Sequence, residues 1–254
     1  MPLLRLPPMK SKASFENRFD RKLRMKISVA MAAYNGEKYI GEQIESILPQ
    51  LGAGDEVVIS DDNPAGKTRQ VVEFYSAYDE RVKYFEGAGE GVCRNFENAI
   101  SNCTGDIVFL CDQDDVWLSN KVSRVLKAFE GGADVVLHDA EMADADLNVT
   151  APSFFALNGS KPGFFKNLLK NSYMGCCMAF RADFEKVFMP FPENLPMHDW
   201  WIGLNAELRG RVSFIDEPLI KHRCHGGNVT GGETTAVQKL SWRLKMVSDI
   251  LGSK

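Results

Sequence analysis

Asp106-Ile107-Val108-Phe109-Leu110-Cys111-Asp112-Gln113-Asp114-Asp115-Val116-Trp117 is an unbroken apolar run that stops at three carboxylates within four residues. A strand that is apolar at every position, rather than at alternate ones, belongs in a sheet covered on both faces. The same design recurs on either side of it. Upstream, Lys26-Ile27-Ser28-Val29-Ala30-Met31 runs into Ala32-Ala33-Tyr34-Asn35-Gly36-Glu37, and Glu56-Val57-Val58-Ile59-Ser60 runs into Asp61-Asp62-Asn63. Val82-Lys83-Tyr84-Phe85 and Asp134-Val135-Val136-Leu137 add shorter runs. Between the strands, Ile40, Ile44, Ile47, Leu48 and Leu51 share one helical face, and helical patterns fill 67–78, 91–102 and 119–130. Strand and helix in alternation predict an α/β fold with a mostly parallel central sheet and helices on both faces.

At 254 residues, 44% hydrophobic and 25% charged, the chain has the composition of a globular protein. A net charge of −4 gives no basic field, so nucleic acid is not an expected partner. Residues 1–24 read as a basic, unstructured leader with no apolar run suited to a signal peptide or a membrane span, so a cytoplasmic location is expected. The main domain is expected over 25–231, in two halves, 25–138 and 139–231. After about residue 139 the strand–helix rhythm breaks, and the second half reads as appended, with helical segments near 163–171, 181–187 and 198–209 and a strand near 211–216. Over 232–254, Val237, Leu240, Leu244, Val247 and Leu251 recur at helical spacing beside Lys239, Arg243 and Lys245. That amphipathic helix is expected to pack its apolar face on the domain, with contact to the inner face of the plasma membrane as the second reading. Cys93, Cys103, Cys111, Cys176, Cys177 and Cys224 form no CxxC pair and no Cys/His zinc spacing, so they are expected to be reduced, and Cys111, Cys176 and Cys177 to pack in the core.

In such a sheet, ligands bind beyond the carboxyl ends of the strands, where the polar residues of this chain gather. Asp112, Asp114 and Asp115 repel one another, and a divalent cation with oxygen ligands, Mg²⁺ or Mn²⁺, offsets that cost. The bland alternative is an acidic turn capping the helix that starts near Ser119. Arg94-Asn95 follows Gly87, Gly89 and Gly91 at a helix start, where a guanidinium and backbone N–H groups suit a diphosphate; an exposed helical arginine is the alternative. Neither G-x-G-x-x-G nor a P-loop is present to hold phosphate another way. Met197-His198-Asp199-Trp200-Trp201 sets a carboxylate at a helix start. His222-Arg223-Cys224-His225-Gly226-Gly227-Asn228 reads as a Gly-flanked closing loop, suited to adding a metal or phosphate ligand.

Taken in order, these motifs resemble glycosyltransferase family 2, the GT-A fold enzymes that transfer a sugar from a nucleotide diphosphate. The forms Asp112-Gln113-Asp114-Asp115-Val116-Trp117, Met174-Gly175-Cys176-Cys177-Met178-Ala179-Phe180-Arg181 and the late H-G-x-N loop look most like its bacterial rhamnosyltransferase-like branch. The resemblance implies that Ala33, Tyr34 and Glu37 with Asp61 or Asp62 hold the base and ribose. It places Arg94 on the diphosphate, Asp112 on the ribose side, and Asp114 and His225 on the metal. Asp199 becomes the general base, and Gly175, Cys176, His198 and Trp200 line the acceptor side. Trp200 and Trp201 suit either sugar stacking or core packing. The implied reaction is an inverting in-line displacement, with rhamnose as a candidate sugar and a glycan or lipid-linked glycan of surface polysaccharide as acceptor. Asn63-Pro64-Ala65-Gly66-Lys67 departs from the family's Ser/Thr/Asp-rich turn. Two rivals stand beside this reading. One is a haloacid-dehalogenase-like phosphatase, because Asp112 to Val116 also fits D-x-D-x-[TV], although that motif normally ends the first core strand. The other is a non-catalytic nucleotide-sugar or glycan binder.

Overall fold

A computed structural model describes residues 25–226 and 235–252, so the expectations for the leader and for the glycine-rich end of the closing loop lie outside the described residues. The predicted strands form. β1 (Ile27–Ala33) and β2 (Glu56–Asp61) are buried at every position, as a strand covered on both faces must be. With β3 (Val82–Glu86) and β4 (Ile107–Asp112) they make a parallel block in the order β3-β2-β1-β4. Isoleucines at 40, 44 and 47 seat α1 (Ile40–Ile47) on this block, and α2 (Thr68–Tyr78), α3 (Val92–Ser101) and α4 (Lys121–Glu130) follow the predicted rhythm.

Beyond β4 the sheet departs from a simple parallel order. β5 (Val116–Trp117), β6 (Val135–Ala143), β7 (Val149–Ala151), β8 (Met178–Arg181) and β9 (Val212–Arg223) complete nine strands in the path β3-β2-β1-β4-β8-β6-β9-β5, with β7 on β6. β8 is antiparallel to both β4 and β6, so it wedges between two strands that the rhythm alone places side by side. The second half is therefore not an appendage. It supplies an interior strand of the same sheet, together with β9, which runs parallel to β6 and continues through Arg223 rather than stopping near 216.

The remaining helices are α5 (Phe154–Asn158), α6 (Phe164–Leu169), α7 (His198–Arg209) and α8 (Ala236–Gly252). In α8 the packing differs from expectation. Met246 and Ile250 are buried and Trp242 packs against the core, whereas Val237, Leu240, Leu244 and Leu251 are exposed. Two apolar stripes share this helix, and the one carrying the larger Trp and Met side chains docks. Among the described residues, no helix is long and apolar enough to cross a membrane.

Candidate active site

Ala33 of β1 lies beside Asp61 of β2, and Ala32 beside Asp112 of β4, so three loops leave the sheet side by side. They are cross-linked. Gln113 accepts from the Tyr34 N–H at 2.9 Å and donates to the Tyr34 carbonyl at 2.9 Å. A Cβ on Gly36 would lie 1.9 Å from Gln113 Oε1, so this bridge requires glycine there. Tyr34 keeps its ring exposed, Ala33 is buried beneath it, and Glu37 is exposed. Asp61 accepts from Tyr84 Oη and the Asn63 N–H, both at 3.1 Å, and burial raises its pKa. In the departing 63–67 turn, Asn63 Nδ2 donates to Asn35 Oδ1 at 2.8 Å, which ties that turn to the β1 loop.

The glycine-rich entry to α3 is already occupied. The Asp62 carboxylate accepts from the Gly89 and Gly91 N–H groups at 2.8 Å each, with both glycines at positive φ. Arg94 pairs with Glu97 and donates to the carbonyls of Phe191 (3.1 Å) and Pro192 (3.4 Å). Asn95, buried, instead reaches the site, donating to the Ala33 carbonyl at 2.9 Å.

The acidic loop after β4 is an electrostatic concentration. Burial, then the charges of Asp115 and Asp114, push Asp112 up to about 8. Asp114 is raised by burial and by Asp115, while His225, whose Nε2 lies 2.8 Å from Asp114 Oδ2, pulls it back. Asp115 goes the other way. Its burial is outweighed by His222, with Nδ1 at 2.9 Å, and by the Arg223 N–H at 3.1 Å. Burial disfavours charge on His222, yet the Asp115 carboxylate prevails and pushes it up to about 10. Contrary to the loop expected, His222 and Arg223 lie in β9 and are buried. Arg223 donates to the Asp114 carbonyl (2.8 Å), the Ala145 carbonyl (2.7 Å) and Glu42 (2.5 Å), and its guanidinium lies over the Tyr39 ring, which also packs against His225.

The facing wall is a tight turn at Gly175–Cys177 and the start of α7. Asp199 is buried, and burial pushes its carboxyl up to about 7 despite hydrogen bonds from the Trp200 N–H, at 2.6 Å, and from the Gly175 N–H. Its charge is the smallest of those that raise Asp112. His198 stacks on Phe96 with centroids 4.1 Å apart, and burial holds it down to about 3, so the imidazole is neutral. A Cβ on Gly175 would lie 2.7 Å from His198 Nε2, so that approach also needs glycine. Cys176 is buried with Sγ 3.7 Å from His222 Nδ1, facing the acidic loop from below. Trp200 and Trp201 are core residues, their indole N–H groups donating to the carbonyls of Asn167 and Phe188 at 2.8 Å each. Neither ring offers an open face for stacking.

Lys121 completes the site and was absent from the sequence reading. It is fully buried, donates to the Cys176 carbonyl at 2.8 Å and lies 4.1 Å from the Trp117 ring centroid. It thus ties the helix after the acidic loop to the turn whose Gly175 N–H holds Asp199. Its signal was present in the periodicity, since Lys121, Val122, Val125 and Phe129 share the buried face of α4.

Asp114 Oδ2 and His225 Nε2 lie 2.8 Å apart as an ion pair beside the charge-crowded Asp112, so a divalent cation here would have to separate that pair to use both as ligands. Asp115, Cys176 and His222 also bring potential ligand atoms within 4.8 Å of one another, but a buried Asp115–His222 ion pair already satisfies them.

The family model for glycosyl transferase family 2 matches residues 28–188. The chain is 26% identical over 213 residues to a glycosyltransferase of Nostoc sp., covering 80% of this chain but 66% of that protein's length. It is 25% identical over 220 residues to the dTDP-rhamnosyl transferase RfbG of Shigella flexneri, covering 79% of this chain and 73% of that one. Among solved structures, S. aureus TarS 1–349 in complex with UDP-GlcNAc shares the fold, with a TM-score of 0.71 at 20% identity over 91% of this chain and 68% of that one. β4 follows three earlier strands, so Asp112 to Val116 does not stand where the phosphatase reading requires it. A mixed sheet with three polar loops at its carboxyl ends and a match across most of its strands leave one assignment: the chain belongs to glycosyl transferase family 2.

Proposed function

We propose that this chain is an inverting, metal-dependent glycosyltransferase. It moves a sugar, rhamnose being the first candidate, from a nucleoside-diphosphate donor to a hydroxyl of a glycan or lipid-linked glycan in surface polysaccharide synthesis. The candidate sugar follows the Shigella relative's printed activity, and a nucleotide-sugar donor follows both that relative and the S. aureus complex. The observation that carries the reading is Asp199, a buried carboxyl raised to about 7 on the wall facing the acidic loop. A base of that pKa loses its proton near neutral pH and still takes one from an attacking hydroxyl.

The acceptor oxygen gives its proton to Asp199 as it bonds the anomeric carbon. The bond from that carbon to the diphosphate oxygen breaks, and its electron pair leaves with the diphosphate. The N–H groups of Gly175 and Trp200 hold the carboxylate in place for this. Tyr34, Glu37, Asp61 and Asp62, around Ala33, take the base and ribose, and Asp112 takes the ribose side. Arg94 meets the diphosphate only by releasing Glu97 and the 191–192 carbonyls. Asp114 and His225, on parting from each other, would hold a Mg²⁺ or Mn²⁺ ion, which would supply counter-charge for the departing diphosphate.

The test is Asp199→Asn, with donor affinity measured by calorimetry and transfer by single turnover. Donor affinity should hold while transfer falls by on the order of 10²–10⁴. Intact transfer would remove Asp199 as the base, and lost donor binding would move it to the nucleotide side. The donor itself emerges from a thermal-shift panel of nucleotide sugars, in which a match at a hundredfold excess over Kd stabilises by about 2.7 kcal/mol.

A further inference from the structure

Exposed large apolar side chains concentrate on two adjoining helices. Phe165 (79% exposed) and Leu169 (67%) lie on α6, and Val237 (79%), Leu240 (55%), Leu244 (63%) and Leu251 (77%) lie on α8. The α8 residues, spaced by three, four and seven, form one stripe, while Trp242, Met246 and Ile250 dock the opposite side. Arg243, between the stripes, joins the helices by donating to the carbonyls of Leu168 (3.2 Å) and Leu169 (2.5 Å) at the end of α6. The charge around this surface is one-sided. Lys161, Lys166, Lys170, Lys239, Arg243 and Lys245 outnumber Asp249, the one acid within residues 161–170 and 235–252, and Glu207 of α7, which accepts from the Gly163 N–H at 2.7 Å, in a chain whose net charge is −4.

We propose that α6 and α8 form one surface that seats on an anionic lipid bilayer. Their Phe, Leu and Val side chains enter the boundary between headgroups and acyl chains, and the lysines meet the lipid phosphates. Solvent-exposed apolar rows flanked by basic residues in excess over acids are the pattern of an interfacial helix, and the excess positive charge complements an anionic headgroup layer. Since no described helix can cross a membrane, the contact is peripheral.

The surface is coupled to the site through packing. The Asn167 carbonyl of α6 accepts from the Trp200 indole at 2.8 Å, one residue beyond Asp199, and Arg209 at the end of α7 donates to the Ile250 carbonyl of α8 at 3.1 Å. A bilayer under α6 and α8 therefore lies against the helix that presents the proposed base, where a lipid-linked acceptor is needed. Only this last step rests on the proposed transferase activity; the docking does not.

The test uses the full chain, without donor or acceptor, in co-sedimentation with vesicles of phosphatidylglycerol and phosphatidylcholine and with pure phosphatidylcholine vesicles. The chain should bind the anionic vesicles in a salt-sensitive way. The double variants Leu240→Ser with Leu244→Ser, and Phe165→Ser with Leu169→Ser, should each weaken binding about tenfold or more while the melting temperature holds. Lys161→Glu with Lys239→Glu leaves both stripes intact and should selectively weaken binding to anionic vesicles, which keeps the test decisive should a serine pair unfold. Absence of vesicle binding, or binding unchanged in these variants, overturns the proposal. So does a wild-type oligomer that the serine pairs convert to monomer, since the face would then join copies of this chain.

Discussion

Buried acids at the two ends of the sheet are in opposite electrical condition. At the amino end, Glu56 is 1% exposed, yet Ser28 Oγ (2.6 Å), Thr104 N–H and Oγ1 (2.7 Å each) and Lys83 Nζ (2.5 Å) surround it. Burial opposes its charge, but these partners hold its pKa down to about 2. At the carboxyl end, the half-buried Asp112 meets like charges instead and rises to about 8, and the buried Asp61, Asp114 and Asp199 are raised as well; Asp115, paired with His222, is the exception and is lowered. A buried acid that the fold satisfies is structural. A cluster of buried acids that the fold leaves crowded is stable only if something else supplies the positive charge and hydrogen bonds, and that is how a site differs from a scaffold.

The largest expected effect tests the crowded end. Asp114→Ala should lower transfer by on the order of 10²–10³ and abolish its response to Mg²⁺ or Mn²⁺, as loss of charge stabilisation at a leaving group does. The fold should be no less stable, because a repelled charge has been removed. Metal-titrated transfer alongside thermal melting checks both halves, and a variant that melts much earlier would make Asp114 part of the scaffold.

Glu56→Gln should do the reverse, lowering stability by about 1.5–3 kcal/mol, the usual worth of hydrogen bonding to a charged group, with kcat unchanged. The pH dependence of the two ends must also differ in sign. Glu56, with its folded pKa depressed, contributes stability above about 4.3, its unfolded value, and loses it as pH falls toward about 2. Asp112, with its folded pKa raised, keeps a proton the unfolded chain has released, so its contribution weakens as pH climbs toward about 8. Denaturant melts of wild type, Glu56→Gln and Asp112→Asn across this range should show the first difference closing in acid and the second widening toward base. Parallel curves would dissolve the contrast.

Lys121→Met probes the link between the acidic loop and the Asp199 wall. Leaving the buried Cys176 carbonyl without its donor costs roughly 1–3 kcal/mol. If that turn relaxes, the Gly175 N–H moves and water reaches Asp199. The kcat should then fall about tenfold or more, and its acidic limb should shift below pH 7 as the carboxyl regains its ordinary range, with donor affinity intact. An unmoved limb would leave Lys121 as a core residue only.

What could be read from the chain follows the same divide. The loops after β1, β2 and β4 are legible because each follows its own strand within a few residues, so local pattern and spatial neighbourhood coincide. The wall formed by the Gly175–Cys177 turn and the start of α7 is assembled from distant pieces. β8 is only four residues long and its antiparallel seat between β4 and β6 has no local signature. The Asp115–His222 pair spans 107 positions, so the imidazole read as a loop group was a buried partner. In α8 both stripes satisfy helical spacing, and only the surface available to receive one decides which docks. Lys121 shows a subtler failure, because a lysine's type overrode a position that its own periodicity marked as buried.

The smallest expected effect concerns Trp200, where residue type suggested a sugar platform and the fold built a core. Its ring is 5% exposed and its indole N–H is spent on the Asn167 carbonyl. Trp200→Phe keeps an aromatic side chain but removes that donor and some ring volume. Leaving the buried Asn167 carbonyl without that donor should cost roughly 1–3 kcal/mol of stability, while KM for the acceptor and kcat stay the same. Were Trp200 a stacking face, Phe would preserve stability and raise KM instead, because a smaller ring offers less surface to a sugar. The two roles thus predict opposite readouts from one substitution, in melting temperature and in acceptor KM. A KM that rises without any loss of stability would return this wall to the acceptor, and would show that burial in the free protein understates how far the start of α7 opens when substrate arrives.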